Sequence, residues 1–544
     1  MINRKEFLRL FATAVASTGL TTRLNASAKA TSEGWYRGDV AHILPSANHQ
    51  EILVKTSFRT GKHSPPKLRV DGNLHSGEQT DTHGRFYSFR VRGLSPNTNY
   101  ELQLVTSENS ALTDPWPLST FPSPDQRTER LRVLAYTCAG GDESLALPNG
   151  EPVFLPLHVR QLLLQRGLDF DPDIVIANGD HIYWDERTMT RRKPEHIVAA
   201  WRRIQSSLGM MTRGEPILGT KNELTLQRVA DRQIADLYGV MLRSKPTFFV
   251  TDDHDLFDND EADEGLKTLP PDEHMLAAGR ATQSLYYPEF LPDESRPWDL
   301  PGAKSDLSES YGTVRFGDLY EGLLFDTKRY VNTDGEAAYM VPPEVEEWLL
   351  TRTGLNDSAH LSHIPSTPIG WSAGKWGEWY PDLLQPDGSL GTKKEKPYWP
   401  AGWFKQHQRL LSALTEQTKR IPLILSGDLH MFSAGQITQS GDEDYRSNPI
   451  NSVVVGPIST GNTAYPSAAR GVLPQPPSQL SVSEVQTPLE KNGFTIIDFE
   501  RDKITIEMYA WRPPGSEADI KHLEPVRRCE IVKEGTGSAM KELI

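Results

Sequence analysis

At 544 residues, with 37% hydrophobic and 24% charged side chains, the chain has the balance of a soluble globular protein and exceeds one typical domain. A net charge of −14 and the lack of a basic stripe argue against a nucleic-acid partner. Beyond the N-terminus no apolar run reaches the ~20 residues that a membrane span needs, so no transmembrane span is expected in the mature chain.

The first thirty residues read as an export signal. Arg4, Lys5 and Arg9 give a positive start, Leu10 to Leu20 a mildly apolar stretch, and Ala28-Lys29-Ala30 a small-x-small cleavage site. The segment NRKEFLR is similar to a twin-arginine signal with Lys5 in place of the second arginine. The expected destination is outside the cytoplasm: periplasm, cell surface or medium. The plainer alternative is an ordinary amphipathic N-terminal helix.

Residues 31–124 are strand-like, with alternating patches such as EILVKTSF and RFYSFRVRGL. GLSPNTNYELQLV resembles the tyrosine-corner turn of fibronectin type III sandwiches, with Tyr100 at the corner. A small β-sandwich is therefore predicted, followed by the Pro-rich linker Thr120 to Arg130.

From Leu131 the period changes. VFLPLHVRQLLLQRG, RVADRQIADLYGVMLRS and GWFKQHQRLLSALTEQTKR read as helices, alternating with the apolar strands PDIVIANGD, PTFFVTDDH, IPLILSGDLH and NSVVVGPIST. This alternation predicts an α/β domain over 131–544, with a sheet covered on both faces.

Four predicted strands end in residue types able to bind metals. Cys138 closes LRVLAYTC, NGDHIY carries Asp180 and Tyr183, VTDDHDLFDND carries His254 and Asn259, and GDLH carries Asp428 and His430. A lone strand-end aspartate is more often a helix cap than a ligand. Four such ends in one α/β core are harder to explain as caps, because sites in open α/β sheets form beyond the C-terminal ends of strands. Thiolate and phenolate suit a trivalent or transition metal, while carboxylates and amides suit calcium, magnesium or manganese. Cys138 could equally be an inert buried thiol, or half of a bridge to Cys529, the only other cysteine.

In this order, YTCAGG, GDHIY, TDDHDLFDNDEAD and SGDLH resemble the signatures of the alkaline phosphatase D (PhoD-like) metallophosphatases, across roughly Leu131 to Trp511. The resemblance implies a metallophosphatase-like core of β-sheets flanked by helices, preceded by a fibronectin type III-like sandwich. It implies ferric iron held by Cys138 and Tyr183, paired with calcium, although other divalent metals also suit the donors. Asp180 would bridge the cations, Asn259 would serve the second metal, and Asp428 and His430 would complete its shell. Asp253 and His254 would face the substrate, a small phosphate ester. LLFDTKRYV offers Lys328 or Arg329 as a phosphate contact, with a surface salt bridge as the alternative for each.

Within the aspartate-rich loop, Asp252 is expected to anchor the backbone, while Asp255, Asp258 and Asp260 are expected to be solvated or capping carboxylates. Trp371, Trp376, Trp379, Tyr380, Trp399 and Trp403 mark an insertion that is either core packing or a lid over an organic leaving group. The leading expectation is an exported phosphomonoesterase or phosphodiesterase. Alternatives are a purple acid phosphatase, a phospholipase D-type phosphodiesterase and a non-catalytic cell-surface binding protein. Purple acid phosphatases close their site with G-H-x-H, where this chain has Gly427-Asp428-Leu429-His430.

Overall fold

The computed structural model describes residues 34–147, 149–191, 195–263, 265–292, 310–394 and 396–543. The export signal expected over residues 1–30 lies outside them. Eight strands come first: β1 (Val40–Ala47), β2 (Glu51–Phe58), β3 (Lys67–Val70), β4 (Asn73–Ser76), β5 (Glu78–Gln79), β6 (Phe86–Arg92), β7 (Asn99–Val105) and β8 (Trp116–Ser119). They form two four-stranded antiparallel sheets, ordered β1-β2-β6-β5 and β4-β3-β7-β8. The Tyr100 hydroxyl accepts the Ser95 N–H at 2.7 Å, closing the corner that its motif suggested.

This sandwich is not set apart from the rest, since residues 37–544 form one compact unit. The buried pair Lys55–Glu289, at 2.8 Å, ties β2 to the core. Phe121, just past β8, packs its ring 6.1 Å from Phe248 and 5.4 Å from Phe316.

The larger part contains β9 (Arg130–Thr137), β10 (Ile174–Asn178), β11 (Thr247–Val250), β12 (Tyr311–Phe316), β13 (Tyr320–Phe325) and β14 (His360–Pro365). A short hairpin, β15 (Leu383–Leu384) with β16 (Leu390–Gly391), precedes β17 (Ile421–Ser426), β18 (Phe432–Ser440), β19 (Glu443–Asp444) and β20 (Ile450–Val454). The chain ends through β21 (Leu480–Leu489), β22 (Asn492–Glu500), β23 (Lys503–Trp511), β24 (Arg527–Glu534) and β25 (Gly537–Glu542).

The strand–helix alternation suggested one sheet covered on both faces and the family resemblance a core of sheets; the strands form two mixed ones. The first runs β11-β10-β9-β22-β23-β24-β25, and the second runs β12-β13-β14-β17-β20-β18-β19 with β21 also paired to β18. β9, β10 and β11 are parallel, as are β13, β14, β17 and β20. The reason is visible in β22, which is apolar on both faces. Phe494 meets the helix Leu157–Leu168 at Gly167, whereas Phe499 packs against Tyr320 of the other sheet with centroids 4.4 Å apart. A strand buried on both faces reads as one apolar run whether a helix or a second sheet covers it.

The Trp-rich insertion is core. Trp371, Trp376, Trp379, Tyr380 and Trp403 are buried and Trp399 is half-buried. Most of them pack with Val345, Leu410 and Leu411 of the flanking helices. Cys138 and Cys529 are both buried free thiols, so no bridge joins them.

Candidate metal centre

The two sheets bring their parallel strand ends to one place. Thr137, the last residue of β9, donates its hydroxyl to the Asn178 carbonyl of β10 at 2.5 Å. The same hydroxyl accepts the Asp428 N–H, just past β17, at 3.1 Å. Gly427 permits this approach, because a Cβ there would lie 2.3 Å from the Thr137 hydroxyl. Immediately beyond, Cys138, Asp180, Asp185, Asp428 and His430 all take left-handed backbone angles, with φ of 48°, 58°, 50°, 63° and 51°. Non-glycine residues pay ~1–3 kcal/mol for such sparsely populated conformations, which cluster where side chains must be aimed.

Cys138 Sγ lies 3.3 Å from Asp180 Oδ2, and the Tyr183 hydroxyl donates to that same oxygen at 2.8 Å. Burial, and then the charge of Asp180, push both the thiol and the phenol well above their ordinary pKa values. Burial, with the charges of Asp253 and Asp428 adding to it, pushes Asp180 up to about 8. These three groups sit together comfortably as anions only beside a cation. His430 donates Nδ1–H to the Ala464 carbonyl at 3.0 Å, and burial lowers its pKa to about 4. Its Nε2 is therefore left with a lone pair, as a ligating histidine needs. Ligand atoms of Cys138, Asp180 and His430 fall within 4.8 Å of one another. This places His430 beside the expected iron ligands rather than only with the second cation.

The aspartate-rich loop follows β11 and is wholly buried. Asp255 anchors it: Oδ2 accepts the N–H groups of Asp180 and Asp252, each at 2.9 Å, and Oδ1 accepts those of His181 at 2.8 Å and Ile182 at 3.2 Å. Asp252, expected in that role, has no hydrogen-bond partner on either oxygen. Asp258 and Asp260 are not solvated. Asp258 pairs with Arg187 and accepts the N–H and hydroxyl of Thr188, while Asp260 pairs with Lys328 at 2.7 Å. Lys328 also donates to the Gly377 carbonyl, and Arg329 donates to Gln283, so both side chains are buried braces away from the cavity.

Asp253 is fully buried. It accepts the Asp260 N–H at 2.9 Å and pairs with Lys375 at 3.0 Å, which outweighs burial and holds its carboxyl well below the usual range. It faces these groups and does not line the cavity. His254 does line it. Its Nδ1–H donates to Asp185 at 2.5 Å, and its ring lies 4.1 Å from that of Tyr183. Burial opposes the imidazolium, but Asp185, Asp180 and Asp253 outweigh it and hold the pKa well above the histidine norm. Asn259 presents an amide oxygen with no hydrogen-bond partner.

Two residues were missed in the sequence. Asp185 gives no signal beyond lying two positions past Tyr183. Lys375 is the one basic residue in GWSAGKWGEWY; a lysine in a stretch that aromatic content marks as buried must find carboxylates. A third device is a π-turn at Asp231–Ala235, which aims Gln233 at the site. Gln233 accepts the N–H groups of Gly141 and Tyr183 and donates to the Tyr183 carbonyl.

The fit to cations rests on unmet acceptors. Asp180 Oδ1, both oxygens of Asp252, Asp253 Oδ1, Asn259 Oδ1 and Asp428 Oδ2 are buried without hydrogen-bond partners. Such atoms are rare in folded proteins, and several close together suit a bound cation. A cavity of about 640 Å³ opens beside Asp180, Asn259 and Asp428, with Leu147, Phe154, Met189 and Pro466 on its apolar wall.

No protein-family model and no curated protein matches the chain. Solved structures do. A structure of PhoD matches 93% of this chain and 92% of its own at 14% identity, with a TM-score of 0.57. A purple acid phosphatase from yellow lupin (Lupinus luteus) seeds matches 91% and 75% at 12% identity, with a TM-score of 0.52. The chain thus shares its fold, sandwich and helix-flanked sheets together, with PhoD and with the lupin purple acid phosphatase.

Proposed function

We propose that the chain is an exported, metal-dependent phosphoric ester hydrolase of the PhoD-like kind, acting on phosphomonoesters or phosphodiesters. One observation carries the reading: buried oxygens without partners converge with a thiol, a phenol and an imidazole lone pair beneath an open cavity. Cys138, Asp180, Tyr183 and His430 suit ferric iron or another transition metal. Asp180, Asn259 and Asp428 offer hard oxygens suited to calcium, with manganese as an alternative. When bound, such cations supply charge that polarises the phosphoryl oxygens and acidifies an attacking water.

The chain's own residues do the rest. Asp185 fixes the tautomer and orientation of His254, leaving Nε2–H as the proton available to the departing alkoxide. Asp255 holds the backbone of Asp180 in its left-handed conformation, and Gln233 holds that of Tyr183. The apolar wall takes the organic part of the ester and keeps water from it. A non-catalytic binding protein would have no use for the unmet acceptors.

The test is hydrolysis of p-nitrophenyl phosphate and bis(p-nitrophenyl) phosphate by the purified chain, before and after chelation. Activity that falls on chelation and returns with added calcium and iron supports the proposal. Full activity in metal-free protein, or none in metal-loaded protein, would sink it.

A further inference from the structure

Lys375 has the surroundings of a metal ion. Its Nζ lies 2.8 Å from Asp428 Oδ1, 3.0 Å from Asp253 Oδ2 and 3.3 Å from Asp260 Oδ1. Two of the three ammonium donors bond Asp428 and Asp253, and Asp260 Oδ1 lies within ion-pair distance of the same nitrogen. Asp252 borders the same cluster, with ligand atoms of Asp252, Asp253 and Asp428 within 4.8 Å of one another. Asp252 is 1% exposed, and neither of its oxygens has a hydrogen-bond partner.

On the far side, Lys328 pairs with Asp260. Four buried carboxylates are thus faced by two ammonium groups. Like charges this close are tolerated in a low-dielectric interior only with cations between them. The backbone is shaped for the arrangement: a Cβ on Gly377 would lie 2.2 Å from Asp260 Oδ2, so only glycine lets the segment bearing Lys375 approach.

We propose that Lys375 is a resident counter-cation, its ammonium filling a position among Asp252, Asp253, Asp260 and Asp428 that would otherwise bind a divalent metal. The position adjoins the centre around Asp180 and does not depend on ester hydrolysis there. The chain therefore binds fewer metal ions than its carboxylates could hold. A fixed positive charge also remains when free cations are stripped away.

The experiment compares the full chain with Lys375→Met, which removes the ammonium and keeps most of the stem, and with Lys375→Arg, which keeps the charge. Each protein is equilibrated with calcium, freed of excess, and assayed for calcium by elemental analysis and for unfolding temperature against calcium concentration. Lys375→Met is expected to hold one more calcium per chain than wild type, and its unfolding temperature to rise with calcium. Lys375→Arg is expected to gain none. If Lys375→Met unfolds without calcium, added calcium must restore it. Equal calcium counts in Lys375→Met and wild type, an extra equivalent in Lys375→Arg, or a Met variant unfolded at every calcium level would each overturn the proposal. A Lys375→Met variant that gains calcium, beside metal-loaded wild type that hydrolyses no ester, would uphold this inference and defeat the functional one.

Discussion

Replacing Asp255 by asparagine tests whether the site is held by its backbone as well as by its ligands. The side chain keeps its shape, but one carboxylate oxygen becomes an NH₂ group that can only donate. Whichever way the amide turns, one pair of N–H groups loses its acceptor, either Asp180 with Asp252 or His181 with Ile182. A buried donor left unsatisfied costs ~1–3 kcal/mol, so the pair should cost about 2–6 kcal/mol. That is a large share of the ~5–15 kcal/mol that stabilises a typical protein. Urea unfolding of Asp255→Asn beside wild type measures it, with bound metal determined on the same samples. A midpoint shift worth under ~1 kcal/mol, with metal retained, would show that Asp255 does not brace the loop.

Further outcomes can be stated. His254→Ala should lower turnover by roughly 10²–10⁴, and most for esters with poor leaving groups, while Asp185→Asn follows in the same direction; unchanged rates on such esters would remove His254 as proton donor. In iron-loaded protein, Tyr183→Phe should abolish a phenolate charge-transfer band and Cys138→Ser should change the colour; three superimposable spectra at equal iron would exclude both as ligands. His407 is buried among Trp379, Tyr380 and Phe404, and burial pushes its pKa down to about 3. Its unfolded form takes a proton near the ordinary value of ~6.5, so its contribution is present above that pH and lost on acidification. Wild type should therefore lose about 1.4 kcal/mol per pH unit relative to His407→Phe from pH ~6.5 down towards ~4. Parallel stability curves for the two proteins would refute this.

The strand ends were legible because metal donors after apolar runs follow from chemistry that is local in sequence. Cys138, Asp180, Asn259 and Asp428 could be named from that pattern; Cys138 Sγ lies 3.3 Å from Asp180, and Asp180, Asn259 and Asp428 line one cavity. What was not legible depends on long-range contacts. The loop's five aspartates look alike in sequence, yet Asp255 collects four backbone N–H groups while Asp252 has none, a difference set by where β10 ends against β11. Lys328 and Lys375 carry the same charge, but the fold turns the first into a brace and the second into the site, because the insertion folds back over the loop. The strand–helix alternation alone did not separate the two sheets for a similar reason, since Phe499 meets Tyr320 rather than a helix.

The central claim is that Asp180 joins cations held by Cys138, Tyr183, His430 and Asn259. Elemental analysis of wild type and Asp180→Asn, both purified without chelator, tests it most directly. The account expects iron with calcium, or another pair of such metals, in wild type, and loss of both from a variant that still folds. Wild type devoid of bound metal yet active, or Asp180→Asn with its full metal complement, would contradict it.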